Sequence, residues 1–328
     1  MRRREFLGLV GSAAAIPAVG RAQQSARPKH IGVLTHLADT DTEMRGWLAA
    51  FRERLGQLGW QEQRNVRITS RFAGGQPDQL PVLAKELVAM QPDVILTHAP
   101  PSTGPIKRET STIPIVFVAV SDPVGEGFVA SLARPGGNLT GLLSFEHGIV
   151  GKWLAMLKEI APALQRVAVM ANPKTTNFDY FFRAAEAAAP SFKIEMVASR
   201  IETPADIERA IVSLAAASNS GLLLPPDGTV NRHHRLISEL AARHRMPTVF
   251  PFHFHVVGGG LMSYGVDQTD SYRQAATFVD RILRGEAAAN LPVQLPTKYT
   301  TVVNLKTARV IGLTVPPAML VAADQVIE

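Results

Sequence analysis

The chain has 328 residues, no cysteine, a hydrophobic share of 46% and a formal net charge of +6. This length and composition allow two globular lobes of ordinary size, stabilised by packing because disulfides are impossible. Nothing basic enough for a nucleic-acid footprint occurs: Arg232-His233-His234-Arg235 and Arg243-His244-Arg245 have the spacing of solvated helix faces.

The first element is a leader. Arg3-Arg4-Glu5-Phe6-Leu7 is a twin-arginine head, Leu7 to Val19 is a short apolar middle, and Gly20-Arg21-Ala22 is a small-x-small cut before Gln23. That layout predicts a bacterial export signal removed after Ala22, with the mature protein working in the periplasm after twin-arginine export. Removal leaves 30 basic and 27 acidic residues, net +3. With no further apolar run near twenty residues and no cysteine for a lipid anchor, the mature chain is expected to be soluble, with no membrane insertion.

Short apolar runs then alternate with amphipathic stretches. His30 to Leu34, Asn65 to Thr69, Val94 to Leu96 and Ile115 to Ala119 read as strands, separated by helices over Glu43 to Leu58, Pro77 to Met90 and Gly104 to Thr110. In the first helix Trp47, Leu48, Phe51, Leu55 and Leu58 recur at helical spacing, and Gly59 ends it. The pattern restarts with a helix at Trp153 to Ile160. Strands follow at Val167, Ile194, Gly221 and Pro247, with intervening helices at Phe178 to Ala189, Pro204 to Ala217 and His233 to His244. Continuous apolar strands each followed by a helix predict an α/β protein with two doubly wound parallel-sheet lobes. The turn Arg134-Pro135-Gly136-Gly137 and the glycine run Gly258-Gly259-Gly260, before a helix at Gln268 to Leu283, suit a chain that leaves one lobe, builds another and returns. A multi-strand hinge is therefore expected. The expected first lobe is 30–140 plus 266–290, and the second is 141–265 plus 297–328.

In such sheets ligands sit beyond the carboxyl ends of the strands. The residues there are small and polar: Thr35-His36, Thr97-His98, Ser121-Asp122, Asn172-Pro173, Pro226-Asp227 and Pro251-Phe252-His253. Singly, Asp122 and Asp227 read as helix caps and Asn172 as a turn residue; together they point to one binding mouth.

Motifs for catalysis are missing. No Gly-x-Gly-x-x-Gly follows the first strand, and there is no phosphate loop, Gly-x-Ser-x-Gly elbow or His-Glu-x-x-His. His253 and His255 read as alternating along a strand and sharing one face, too few for a metal site. No enzyme activity, cofactor or metal is expected.

Ser121-Asp122-Pro123-Val124-Gly125, Leu132-Ala133-Arg134-Pro135-Gly136-Gly137-Asn138, Gly260-Leu261-Met262-Ser263-Tyr264-Gly265 and Asn304-Leu305-Lys306-Thr307-Ala308 resemble one family. It is the ABC transporter substrate-binding protein family that includes tryptophan/tyrosine-type components, and the likeness runs from about Ile31 to Glu328. The resemblance implies a type I periplasmic-binding fold whose partners are a small-molecule solute and an ABC permease with its cytoplasmic ATPase. It implies ligand contacts from Thr35, Thr97, Ser121, Asp122, Asn172 and Asp227, with Phe145 and Tyr264 as aromatic walls. His36 and His98 would favour a ligand with an additional acidic or aromatic group. A monomer is expected. A ligand-sensing subunit of a membrane signalling receptor is the alternative role for the same fold.

Overall fold

The computed structural model describes residues 27–145 and 148–328, so the expected signal at 1–22 lies outside the described residues. The first lobe is built from β1 (Lys29–Thr35), α1 (Thr42–Gln57), β2 (Val66–Phe72), α2 (Leu80–Ala89), β3 (Val94–His98), α3 (Ala99–Glu109), β4 (Ile115–Val120) and β5 (Leu139–Leu143). Its 5-stranded sheet has the order β2-β1-β3-β4-β5, parallel throughout. The chain then crosses and builds α4 (Ile149–Ile160), β6 (Arg166–Ala171), α5 (Phe178–Ala188), β7 (Glu195–Arg200), α6 (Pro204–Ala215) and β8 (Ser220–Leu223). There follow α7 (Gly228–Arg243), β9 (Thr248–Phe250), α8 (His253–Val257) and β10 (Met262–Val266). A second crossing leads to α9 (Gln268–Leu283), which packs on α1 in the first lobe. A third returns the chain to β11 (Tyr299–Asn304), α10 (Leu305–Val310), α11 (Pro317–Ala322) and β12 (Gln325–Ile327).

The second sheet has 7 strands in the order β12-β11-β10-β9-β8-β6-β7. It departs from the expected parallel sheet at one place: β11 runs antiparallel to β10. The reason is directional. The parallel strands end at the cleft, and β11 enters from the other lobe, hence from the cleft end. In the first sheet β5 stays paired with β4 through Leu143, so residues 141–143 lie with the first lobe.

Each sheet is covered on both faces. Trp47, Leu48, Phe51 and Leu55 of α1 meet Tyr272, Phe278 and Val279 of α9 on one side of the first sheet, while α2 and α3 cover the other. In the second lobe Trp153, Leu154 and Leu157 of α4 pack with Phe181 of α5, and Ile207, Ile211 and Ile237 line the opposite face. Burying each such side chain contributes about 2–3 kcal/mol. Helix starts are fixed locally: Asp41, Asn177, Asp227 and Asp267 each accept an N–H from the first turn, and Thr203 with Asp206 forms a capping box.

The hinge is held by backbone pairing. Leu143 N–H donates to Gln294 O and Gln294 N–H to Gly141 O (2.9 and 3.0 Å), so the third crossing lies along β5. Thr140 Oγ1 donates to Leu291 O at 2.6 Å. Trp153 Nε1 donates to Tyr264 O at 2.7 Å, anchoring the strand that feeds the second crossing. Gly265 in that strand must be glycine, since a Cβ would overlap the Pro251 carbonyl oxygen.

His253 and His255 correct the strand expectation. The strand stops at Phe250 and both lie on the short helix α8, where residues two apart diverge. His255 is buried, with Nε2 2.9 Å from Asn231 Oδ1 of α7, whereas His253 is exposed.

Candidate functional site

The carboxyl ends of β1, β3 and β4 form the first-lobe wall. Thr35 and His98 are register partners on adjacent strands. Thr35 is buried, and its Oγ1 accepts the Leu37 N–H at 3.2 Å. Thr97 spends its hydroxyl internally, 2.8 Å from Thr103 Oγ1 of α3. His98 sits in an aromatic stack, its ring centroid 5.6 Å from His36, 5.3 Å from Trp47 and 6.0 Å from Tyr272. Its Nδ1 is 3.0 Å from the Tyr272 hydroxyl.

Burial in this stack makes the charged imidazolium costly, and the neighbouring His36 adds to the effect. His98 is pushed down to about 3. His36 is lowered by the same desolvation, against an opposing hydrogen bond to the His98 backbone, and its Nδ1 is buried without a partner. Both rings are therefore neutral at neutral pH. Ser121 and Asp122 follow β4 and are half-buried; Asp122 Oδ1 accepts the Gly125 N–H at 2.8 Å. Ala99 and Ala119, at this same edge, both take φ of 63°, the left-handed region that alanine avoids. Such strain concentrates at functional edges.

Across the cleft, Asn172 and Asp227 are joined in one network. Asn172 Oδ1 accepts the Lys174 N–H and its Nδ2 donates to Thr229 Oγ1, both at 2.9 Å. Asp227 caps α7 by accepting the Val230 N–H at 2.8 Å and takes a hydrogen bond from the Thr175 hydroxyl. Burial raises the Asp227 carboxyl above its ordinary range, opposed first by Thr175. Their local roles are thus the cap and the turn.

The two expected aromatic walls part company. Phe145 is 1% exposed and packs edge-on against Trp153 in the second-lobe core, so it does not face the mouth. Tyr264 is half-buried in β10, stacked on Tyr299 at 5.4 Å with Lys152 Nζ 5.8 Å from its ring centroid.

Between the lobes, against the second and third crossings, lies a cavity of about 270 Å³. Its lining includes Glu43 and Trp47 of α1, Phe252 to Phe254, Asp267 and Gln268, and reaches Asp324. None of the expected contact residues lines it, but Trp47 does and also stacks on His98, so the cavity adjoins the first-lobe wall. Sequence reading missed this group because Trp47 continues the apolar stripe of its helix and Gln268 reads as an ordinary helix start. Phe252 carried a signal, following a strand as the other candidates do. The lobes also touch directly: Arg232 Nη2 of α7 donates to Gly75 O beyond β2 at 3.1 Å.

Among the described residues no group of three or more His, Cys, Asp or Glu could hold a metal ion. Nor is any helix among them long and apolar enough to cross a membrane. Two α/β lobes facing each other across a hinged cleft, with polar strand ends and an aromatic-walled cavity inside, define a clamshell binding protein of the type I periplasmic-binding fold.

Comparison with known proteins gives the family. Residues 39–327 match the model for ABC transporter substrate binding proteins, and the chain belongs to that family. It is a family of substrate-binding components, not of enzymes: its members hand a small molecule to a permease and generally work outside the cytoplasm. A tyrosine-binding protein of Clostridioides difficile is 24% identical over 291 residues, covering 88% of this chain and 82% of the relative. The crystal structure of a conserved domain protein from Vibrio cholerae superposes with a TM-score of 0.84 at 27% identity, covering 92% of this chain and all (100%) of that one. A Streptococcus pneumoniae ABC domain in complex with L-Trp gives a TM-score of 0.84 at 22% identity, with the same 92% and 100% coverage.

Proposed function

We propose that the interlobe cleft captures a small amino-acid-like or aromatic solute in the periplasm and surrenders it unchanged to an ABC permease. Export by the twin-arginine route, with cleavage after Ala22, and action as a monomer belong to the same reading. The observation that carries it is that small polar residues follow the parallel strands of both lobes: Thr35, His36, Thr97, His98, Ser121 and Asp122 in one, Asn172 and Asp227 in the other, with Tyr264 on β10. Aromatic surface at Trp47 and Phe252 supplies the apolar partner that an amino-acid side chain requires. The relatives whose names mention tyrosine or L-Trp support an aromatic ligand. We place the lobe boundaries near Ser144, Asp267 and Gln294.

The test is to purify the mature protein gently, identify co-purifying small molecules by mass spectrometry, and titrate them back by calorimetry with small-angle scattering in parallel. Compaction and recovery of unaltered solute are expected. If Asp122→Ala and Asp227→Ala both leave the affinity unchanged, the placement of the contacts at the strand ends is wrong.

A further inference from the structure

The charge and hydrogen-bonding state of the cavity restrict what can occupy it. Its lining carries three carboxylates, Glu43, Asp267 and Asp324, and neither lysine nor arginine. Asp267 is neutralised by Lys298 at 2.8 Å and caps α9. Asp324 accepts the Thr301 N–H at 2.7 Å, and among the described residues no ion pair engages Asp324 or Glu43. The remaining ionisable group in the lining is His253. With Lys298 already paired to Asp267, the lining is net negative through Glu43 and Asp324, and a carboxylate entering it would meet like charge with no unpaired lining cation to receive it.

An independent observation comes from Gln268. It is 5% exposed and lines the cavity, yet both its amide oxygen and its amide nitrogen lack a hydrogen-bond partner. Buried amides are almost always satisfied, so a doubly unpaired one at a cavity wall awaits a ligand. Its oxygen accepts from an ammonium and its NH2 donates to a hydroxyl or carbonyl. Trp47, Phe252 and Phe254 add aromatic surface, which both packs a ring and attracts a cation.

We propose that this cavity selects its ligand by a positively charged amine: it takes arylalkylamines and aromatic amino acids through their ammonium group, with Glu43 and Gln268 as the specificity residues, and rejects the matching arylalkanoates. The inference rests on the reading that the cleft binds a solute, and it narrows the class of that solute. A neutral imidazole pair at His36 and His98, next to the Trp47 ring, adds no positive charge to oppose the amine.

The experiment is calorimetric titration of the full mature protein with two matched sets. One is tryptamine, L-tryptophan and indole-3-propionate; the other is tyramine, L-tyrosine and 3-(4-hydroxyphenyl)propionate. In at least one set the amine and the amino acid bind, and the acid binds at least tenfold more weakly. Glu43→Gln weakens the amine at least fivefold. Gln268→Leu does the same, while Gln268→Glu, which keeps the shape and adds negative charge, binds the amine at least as tightly as the parent. Thermal melting confirms that each variant folds. Acids binding as tightly as amines, or both Glu43→Gln and Gln268→Leu leaving amine affinity unchanged, overturn the proposal. If neither set binds but another solute compacts the protein, the amine class is wrong and the solute-binding reading stands. If no solute in a broad metabolite panel binds, both fall.

Discussion

Replacing His98 by glutamine isolates the titration of one buried ring. The folded imidazole has a pKa of about 3 against 6.5 in an unfolded chain, because burial and the adjacent His36 disfavour its charged form. Above pH 6.5 neither state is protonated and the residue contributes no pH dependence. Below it the unfolded chain takes up a proton that the folded ring refuses, so stability falls by about 1.4 kcal/mol per pH unit until the folded pKa is reached. Between pH 7 and pH 4.5 this one residue costs about 3 kcal/mol. His36 and His255 shift in the same direction and steepen the decline. The depressed carboxylates Asp93 and Asp267 lose their contribution only at more acidic pH, below the window. Glutamine keeps a polar group towards the Tyr272 hydroxyl but does not titrate. Urea unfolding of the parent and of His98→Gln at both pH values, read as midpoint and slope, gives the comparison. The parent loses about 3 kcal/mol more than the variant on acidification; equal losses would refute the account of a neutral buried stack.

Two further outcomes follow from contacts at the cleft. Asp227→Ala removes the α7 cap and the acceptor for Thr175, and is expected to cost about 1–2 kcal/mol of stability without any solute present; unchanged melting with reduced affinity would show that its role is contact with the ligand alone. Arg232→Ala removes the bond to Gly75 across the lobes, an exposed contact worth about 0.5–1 kcal/mol. Stopped-flow measurement should then show solute leaving about two- to fivefold faster, and an unchanged dissociation rate would mean that the bond does not hold the lobes together.

The doubly wound architecture was legible because β1, β3, β4, β6 and β8 are nearly continuous apolar runs, a pattern that only strands buried on both faces require. The polar residues directly after such strands were legible as candidates for a binding mouth for the same reason, since they follow the carboxyl ends of buried strands. Local chemistry was harder. Asp227 and Asn172 have capping and turn roles that look identical in sequence to ligand contacts, and the structure shows those roles occupied. Trp47 could not be told from core, because a ring in the first turns of α1 belongs both to the apolar stripe and to the cavity. His-Phe-His-Val-Val alternates as a strand would. What makes it helical is the end of β9 at Phe250 and the Asn231 side chain that receives His255, a partner more than twenty residues away. Phe145 was misplaced for a similar reason: its neighbour Trp153 lies one helix further on.

The crossings have a consequence for biosynthesis. The lobe begun first is finished last, because α9, which supplies Tyr272, Phe278 and Val279 to its interior, is translated only after β10 of the other lobe. A nascent chain paused at Leu143 carries α1 with the part of its apolar stripe that faces α9 still wet, and the ribosome must add everything up to Leu283 before that part is covered. The second lobe is likewise incomplete until β11 and β12 emerge at the carboxyl terminus. Neither half is a contiguous segment that could be released alone, so the two must reach their native packing almost together, in the closing moments of synthesis.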